Sequence, residues 1–204
     1  MRAALLALFL AQPALAAPCG GDWGGFLRAM TDEARAAGAS DAAIAAFFDG
    51  ARADSKVLKA DRGQGVFRKT FLDFSKSLIS KSRLQTGAAK SAEWDAIFAR
   101  AESEFGVSRG ILLAFWAFET DYGAVQGDFE TRRALATLAH DCRRPDLFRP
   151  QVLAALEMHR LGEFDLNTTG AWAGEIGMVQ MLPGDILERG VDGDGDGLVT
   201  LKTS

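Results

Sequence analysis

Glu119 is the side chain of this sequence best placed for acid–base work. It follows the run Ile111-Leu112-Leu113-Ala114-Phe115-Trp116-Ala117-Phe118 and stands in the stretch Phe118-Glu119-Thr120-Asp121-Tyr122-Gly123. A helix that is apolar on every face is ordinarily the buried centre of a domain. A carboxyl at the C-terminal end of such a helix meets desolvation and the negative end of the helix dipole. Both raise its pKa toward the range that a general acid needs near neutral pH. The competing reading is a glutamate that reaches solvent or pairs with an arginine such as Arg132 or Arg133, and pattern alone leaves both open.

Two other sets of residues carry chemistry. In the run Asp192-Gly193-Asp194-Gly195-Asp196-Gly197, oxygen ligands stand at positions 1, 3 and 5 of an EF-hand-like loop with Gly at 6, and Leu198 can offer its carbonyl at position 7. Position 12 is Thr203, where a bidentate Glu belongs, so a calcium loop and a plain aspartate-glycine turn both stay open. Cys19 and Cys142 are the two cysteines of the chain, His140 and His159 the two histidines, and there is no Cys-x-x-Cys, so no zinc site is expected.

The elements that must hold these residues read as helices. Ser40 is an N-cap candidate for a helix from Asp41 to Phe48, closed by Gly50. Phe67, Phe71, Phe74 and Leu78, spaced four, three and four, predict one apolar helical face between Val66 and Ile79. Ser91 is expected to cap a helix carrying Trp94, Ile97, Phe98, Ala101 and Phe105 and ending at Gly106. Ser108 is expected to cap the next, from Arg109 to about Asp121, with Gly123 as its stop. Thr131 to His140 and Gln151 to Leu161 complete the helical set, with both histidines expected on helix surfaces. The fold class is mainly α, with no internal repeat and no interdomain linker. Beyond Leu166 the texture changes to a Gly-rich loop segment with Trp172, Met178, Gln180 and Pro183, of the kind that lines grooves.

The start of the chain, Met1-Arg2, an apolar run to Ala11 and then Gln12-Pro13-Ala14-Leu15-Ala16, reads as a secretory signal peptide over residues 1–16, cut after Ala16. The run is too short to span a membrane, which takes about 20 apolar residues, and no later segment is long enough. Pro18 before Cys19 argues against lipidation. Export places the protein in an oxidising compartment, and a Cys19–Cys142 disulfide is expected there. Residues 17–204 suffice for one compact domain. The net charge of −4 becomes one unit more negative once Arg2 leaves with the signal, which points away from nucleic acid.

The stretch Ala114-Phe115-Trp116-Ala117-Phe118-Glu119-Thr120-Asp121-Tyr122-Gly123 resembles the catalytic motif of the lytic murein transglycosylase B family, glycoside hydrolase family 103. Four more segments resemble that family in the same order: Phe67 to Phe71, Ala134 to Ala139, Arg143 to Arg149, and Gly170 to Pro183. The resemblance implies a lysozyme-like helical domain and peptidoglycan glycan strands as substrate. It also implies non-hydrolytic cleavage of the MurNAc–GlcNAc β-1,4 bond, giving 1,6-anhydroMurNAc ends in the periplasm. Glu119 would act as acid and then base, with no cofactor required, and no second acid stands out as its partner, whereas most glycosidases use two.

Gln180 matches the family's Gly-x-x-Gln-Phe-Met-Pro motif and would bond a sugar amide or hydroxyl; satisfying loop backbone is its other reading. Tyr122 and Trp172 are candidates for stacking on sugar rings, although aromatics at such spacing also serve as core. The chain departs from the family at Ala171, Glu175-Ile176, Met181 and Gly184, and Glu175 reads either as an extra cleft carboxylate or as a solvated surface residue. Some family members bind calcium in a loop like that at Asp192. The family continues with further helices where this chain stops at Ser204, so the resemblance implies a shortened chain. A hydrolytic muramidase and a non-catalytic cell-wall or calcium-binding periplasmic protein are the competing functions.

Overall fold

The computed structural model describes residues 19–63 and 69–202. The signal peptide, Phe67, Arg68 and Thr203 lie outside the described residues. The chain is mainly α, as expected. In order the helices are α1 (Trp23–Ala36), α2 (Asp41–Phe48), α3 (Ser55–Arg62), α4 (Phe71–Leu78), α5 (Lys81–Glu93), α6 (Asp95–Phe105), α7 (Arg109–Thr120), α8 (Thr131–His140), α9 (Pro145–Leu161) and α10 (Pro183–Arg189). Between them β1 (Phe129–Glu130) pairs antiparallel with β2 (Thr169–Gly170), Phe129 opposite Gly170. That short ladder ties the chain leaving α7 to the start of the Gly-rich segment.

The helix starts are set locally. Ser40 accepts from Ala43 N–H at 3.2 Å, Ser80 from Arg83 N–H at 3.1 Å, and Asp22 from Gly25 N–H at 2.6 Å. Each satisfies one of the amides that a helix start leaves without a partner. Two expected caps are different. Ser91 lies inside α5, and Trp94 stands at the start of α6. Ser108 precedes α7 without a side-chain cap bond, and Glu102 from the previous helix accepts from Arg109 N–H at 2.9 Å instead. The left-handed stop at Gly106 is as expected.

The buried centre is α8, not α7. Ala134 to Ala139 are all buried, and Phe26 and Met30 of α1, Phe47 of α2, Phe148, Val152 and Leu156 of α9 and Ile186 of α10 close around them. In α7, Ile111, Phe115 and Phe118 are 53%, 59% and 47% exposed, and only Ala117 and Thr120 are buried. Apolarity on every face misled here because α7 packs beside α5 and α6 and turns its remaining apolar surface to open grooves. The expected stripe before it is also looser: Phe71 is exposed and α4 buries none of its side chains. His140 is half-buried, edge-on to Trp23 and Phe26, and His159 is half-buried with Nδ1 3.0 Å from the Phe164 carbonyl; neither stands free on a helix surface.

Cys19 and Cys142 form the expected disulfide, across a sequence separation of 123 residues. It fastens the entry to α1 onto the turn between α8 and α9, beside the core, where Gly20 N–H donates to the His140 carbonyl. Closing a loop of that length removes unfolded-state entropy worth about 5 kcal/mol. At about 2–4 °C per kcal/mol for a chain of this size, reduction or a Cys142→Ser change should lower the melting temperature by about 10–20 °C. Parallel melts with and without reductant, beside the variant, check this; identical melts would count against it.

Candidate active site

Glu119 occupies the last turn of α7, where its helix position and the chain reversal beyond it fix the direction of the carboxyl. It is exposed, so the burial expected from the apolar run is absent. The arginine pairing is absent as well. Arg132 and Arg133 both bond Glu130, at 3.1 and 3.2 Å, and among the described residues no hydrogen bond or ion pair engages the Glu119 carboxyl. It opens into a cleft of about 680 Å³ walled by Phe98, Leu112, Phe115 and Trp116 on one side and by Met178, Val179, Gln180, Met181 and Leu201 on the other. Glu119 and Gln180 are the polar side chains of that otherwise hydrophobic lining.

Beyond Thr120 the chain reverses through three consecutive left-handed residues: Asp121 (φ 52°), Tyr122 (φ 61°) and Gly123 (φ 87°). Non-glycine residues in this conformation cost about 1–3 kcal/mol each, so the hook needs outside support. Arg83 of α5 bonds Asp121 Oδ1 at 2.9 Å. Tyr122 OH donates to the Arg83 carbonyl at 2.9 Å, and its ring meets Trp116 edge-on at 5.7 Å. A Cβ on Gly87 would stand 2.4 Å from the Tyr122 hydroxyl, so α5 can approach the hook only with glycine there.

Gln180 is the third non-glycine residue with positive φ (51°) among those described. Its Nε2 donates to the carbonyls of Gly177 (2.9 Å) and Gln126 (3.2 Å), so the amide nitrogen satisfies loop backbone. That fixes the amide's orientation and leaves Oε1 without a donor among the described residues, on a side chain that lines the cleft. The loop is closed by the Ile176–Met181 bridge and rests on the end of the chain: Met178 N–H donates to the Leu201 carbonyl at 3.1 Å. A Cβ on Gly177 would collide with that carbonyl at 2.5 Å. Gly184 likewise has a packing role, because its N–H bonds Gln151 Oε1 at 2.7 Å, and a Cβ there would crowd the Gln151 amide.

The model for the transglycosylase SLT domain matches residues 23–204. The chain belongs to this family. No curated protein matches it, but solved structures do. SltB3 from Pseudomonas aeruginosa, determined in complex with NAG-anhNAM-pentapeptide, is 30% identical with a TM-score of 0.84, over 91% of this chain and 50% of its own. The Escherichia coli lytic transglycosylase Slt35, in complex with calcium, is 26% identical with a TM-score of 0.81, over 92% and 62%. SltB1 from P. aeruginosa is 26% identical with a TM-score of 0.76, over 87% and 61%. The chain thus spans about half to three-fifths of the length of these proteins, and its helical architecture is the lysozyme-like one of the family.

Within this SLT domain the remaining candidates separate. Tyr122 lines a different groove, between α5 and α7, and Trp172 is half-buried against the main core, so neither borders the cleft that holds Glu119. The three aspartates of the acidic loop converge as expected: Asp192, Asp194 and Asp196 each offer a carboxylate oxygen, all within 4.8 Å of one another and all exposed. Asp192 already accepts from the N–H groups of Gly195 (2.6 Å) and Gly197 (2.8 Å). Those amides, that of Gly197 first, hold its carboxyl below the usual range. The Leu198 N–H donates to Asp196, which places Leu198 at the loop's end. Met178, Phe98, Leu112, Phe115 and Leu201 belong to the cleft but carried no chemical signal in the sequence.

Glu175 is half-buried and is not a solvated surface residue. Burial pushes its carboxyl above the usual range, and the charge of Glu119 adds to that. Its own backbone N–H and Arg144, which buried Asp61 holds at 2.5 Å, pull the other way. A carboxyl with a raised pKa in the folded state binds more protons there than in the unfolded chain, so its contribution to stability falls as pH rises from the unfolded value through the folded one. Glu175→Gln removes that dependence. The variant should melt a few degrees above the wild type at pH 7, and the difference should shrink toward pH 4; a gap that is constant across this range would contradict the assignment.

Proposed function

We propose that this SLT domain is a peptidoglycan lytic transglycosylase in which Glu119 is the single catalytic acid and base. The observation that carries the reading is an unpaired, accessible carboxyl at the end of α7, in an apolar cleft, facing an amide whose orientation is fixed by backbone bonds. Apolar and aromatic walls suit the C–H faces of pyranose rings, and the free Gln180 Oε1 is an acceptor for a sugar N–H or O–H. Glu119, protonated, delivers its proton to the glycosidic oxygen between MurNAc and GlcNAc. As carboxylate it then takes the proton from the C6 hydroxyl of the same MurNAc, whose oxygen closes on C1 to give the 1,6-anhydro sugar. The bond to the leaving sugar breaks, one C–O bond forms within the ring, and the carboxyl ends as it began. SltB3 with bound NAG-anhNAM-pentapeptide is consistent with such a product.

A hydrolytic muramidase is the second reading, and Glu175 favours it, because a second carboxyl within electrostatic reach of Glu119 could activate water as in two-carboxylate glycosidases. Incubation with purified peptidoglycan followed by mass analysis of the released fragments decides between them. Anhydro products, reduced at least about 100-fold in Glu119→Gln, are the expected result. Products heavier by one water would establish hydrolysis, and no release from the wild type would overturn both readings.

Export to the periplasm by the leader at residues 1–16 belongs to the same proposal, supported by the Cys19–Cys142 disulfide. Among the described residues no helix is long and apolar enough to cross a membrane. Calcium fits the acidic loop in part: three carboxylates converge, while Thr203 stands where a bidentate Glu would strengthen the site. Asp192, Asp194, Asp196 and the Leu198 carbonyl would hold the ion, as a structural clamp on the segment that follows. With three carboxylates and no bidentate Glu, affinity is expected in the roughly 10⁻⁴–10⁻³ M range. Millimolar calcium should raise the melting temperature of the wild type and not that of Asp194→Asn; no shift in the wild type would remove calcium from the account.

A further inference from the structure

Thr120 follows the acid directly and is 1% exposed. Its Oγ1 donates to the Met178 carbonyl at 2.5 Å, across 58 residues of sequence, and accepts from Gly123 N–H at 2.9 Å. One hydroxyl therefore joins the left-handed hook that ends the Glu119 helix to the loop that carries Gln180. The chain of bonds continues from Met178 N–H to the Leu201 carbonyl, and Met178 and Leu201 both line the cleft. Among the described residues the three strained non-glycine ones, Asp121, Tyr122 and Gln180, lie on the two segments that this hydroxyl joins.

The tie is separable from the fold. Among the described residues the main core is built from α1, α2, α3, α8, α9, α10 and the Gly-rich segment, with no side chain from α7. Loss of the Thr120 hydroxyl would leave that core in place. It would free the hook and the Gln180 loop to move apart, each relaxing its own backbone.

We propose that Thr120 is a positioning residue whose hydroxyl sets the distance between the Glu119 carboxyl and the Gln180 amide. The proposal rests on the reading of Glu119 as the acid. It assigns to Thr120 no contact with substrate: the effect runs through the Met178 carbonyl and the Gly123 amide. Displacement of a catalytic group by about 1 Å costs on the order of 100-fold in rate, and that is the scale expected here.

The test compares Thr120→Val, Thr120→Ala and Thr120→Ser with the wild type in release of anhydro fragments from peptidoglycan, with kcat and KM separated and melting temperatures measured. Valine keeps the volume and loses the hydroxyl; serine keeps the hydroxyl and loses the methyl. The expected result is a fall in kcat of about 100-fold for Val and Ala, with KM changed by less than about threefold and the folded fraction intact. Ser should recover kcat to within about threefold of the wild type. Should Thr120→Val not fold, the Ala and Ser pair isolates the hydroxyl alone. Activity in all variants that simply follows their melting temperatures, or a Val variant as active as the wild type, would overturn the positioning role while leaving Glu119 as the acid. A wild type that releases nothing overturns the functional reading, and the positioning role falls with it.

Discussion

The site depends on a left-handed hook at the end of α7. An α-helix that continued past Thr120 would carry the chain away from the Gly-rich segment. By reversing at once through Asp121, Tyr122 and Gly123, the chain brings Thr120 against Met178 and leaves Glu119 at the open edge. Such a reversal is costly for residues with a Cβ, at about 1–3 kcal/mol each, whereas a single neutral hydrogen bond contributes only about 1 kcal/mol net. No one contact therefore holds the hook. The Arg83–Asp121 pair, the Tyr122 hydroxyl on the Arg83 carbonyl, and Thr120 on Met178 and Gly123 do so together. Among the described residues the non-glycine strain falls on the two segments that Thr120 joins, as expected where geometry is fixed in advance of binding.

The residue proposed as the acid stood out in the sequence by resemblance more than by the physics first attached to it. Glu119 ends a helix as the pattern said, yet α7 is not the core, and the desolvation that the apolar run implied falls on Glu175 instead. Periodicity cannot distinguish a helix buried by its neighbours from one whose apolar faces line grooves, because both require hydrophobic residues all round. In α8 the opposite ambiguity applies: short side chains at Ala134, Ala136 and Ala139 allow close packing and give little hydrophobic signal, though this helix is the true centre.

Caps and short-range turns were partly legible. Ser40 and Gly106 act as their residue types suggest, whereas Ser91 lies inside α5 and Ser108 makes no cap bond, Glu102 accepting from the Arg109 amide. Helix α1 was legible in principle, since Trp23, Phe26, Leu27, Met30 and Ala34 recur at helical spacing, whereas the few apolar positions of α3 and α5 are interrupted by small and charged residues and the short α10 lies in the Gly-rich segment. Tyr122 shows the limit most plainly. A tyrosine beside a catalytic motif suggests a sugar platform, but its hydroxyl is spent on the Arg83 carbonyl and its ring faces a different groove. Only the approach of α5, made possible by Gly87, reveals this. Gln180 unites both readings offered by its sequence context, with nitrogen bound to the loop and oxygen left to the cleft.

The Cys19–Cys142 bond encloses α1 to α8 in one covalent ring, and Glu119 and Thr120 lie within that ring while Gln180, Met178 and Leu201 lie beyond it. A single proteolytic cut anywhere between the cysteines leaves both fragments joined, so the helix that carries Glu119 stays tethered to the rest of the molecule. A cut after Cys142 has no such safeguard. Between Cys142 and Met178 it severs the Gln180 side of the cleft from the Glu119 side, and the two are then held by packing of α9 on α8, the β1–β2 ladder and the bonds of Met178 and Gln180.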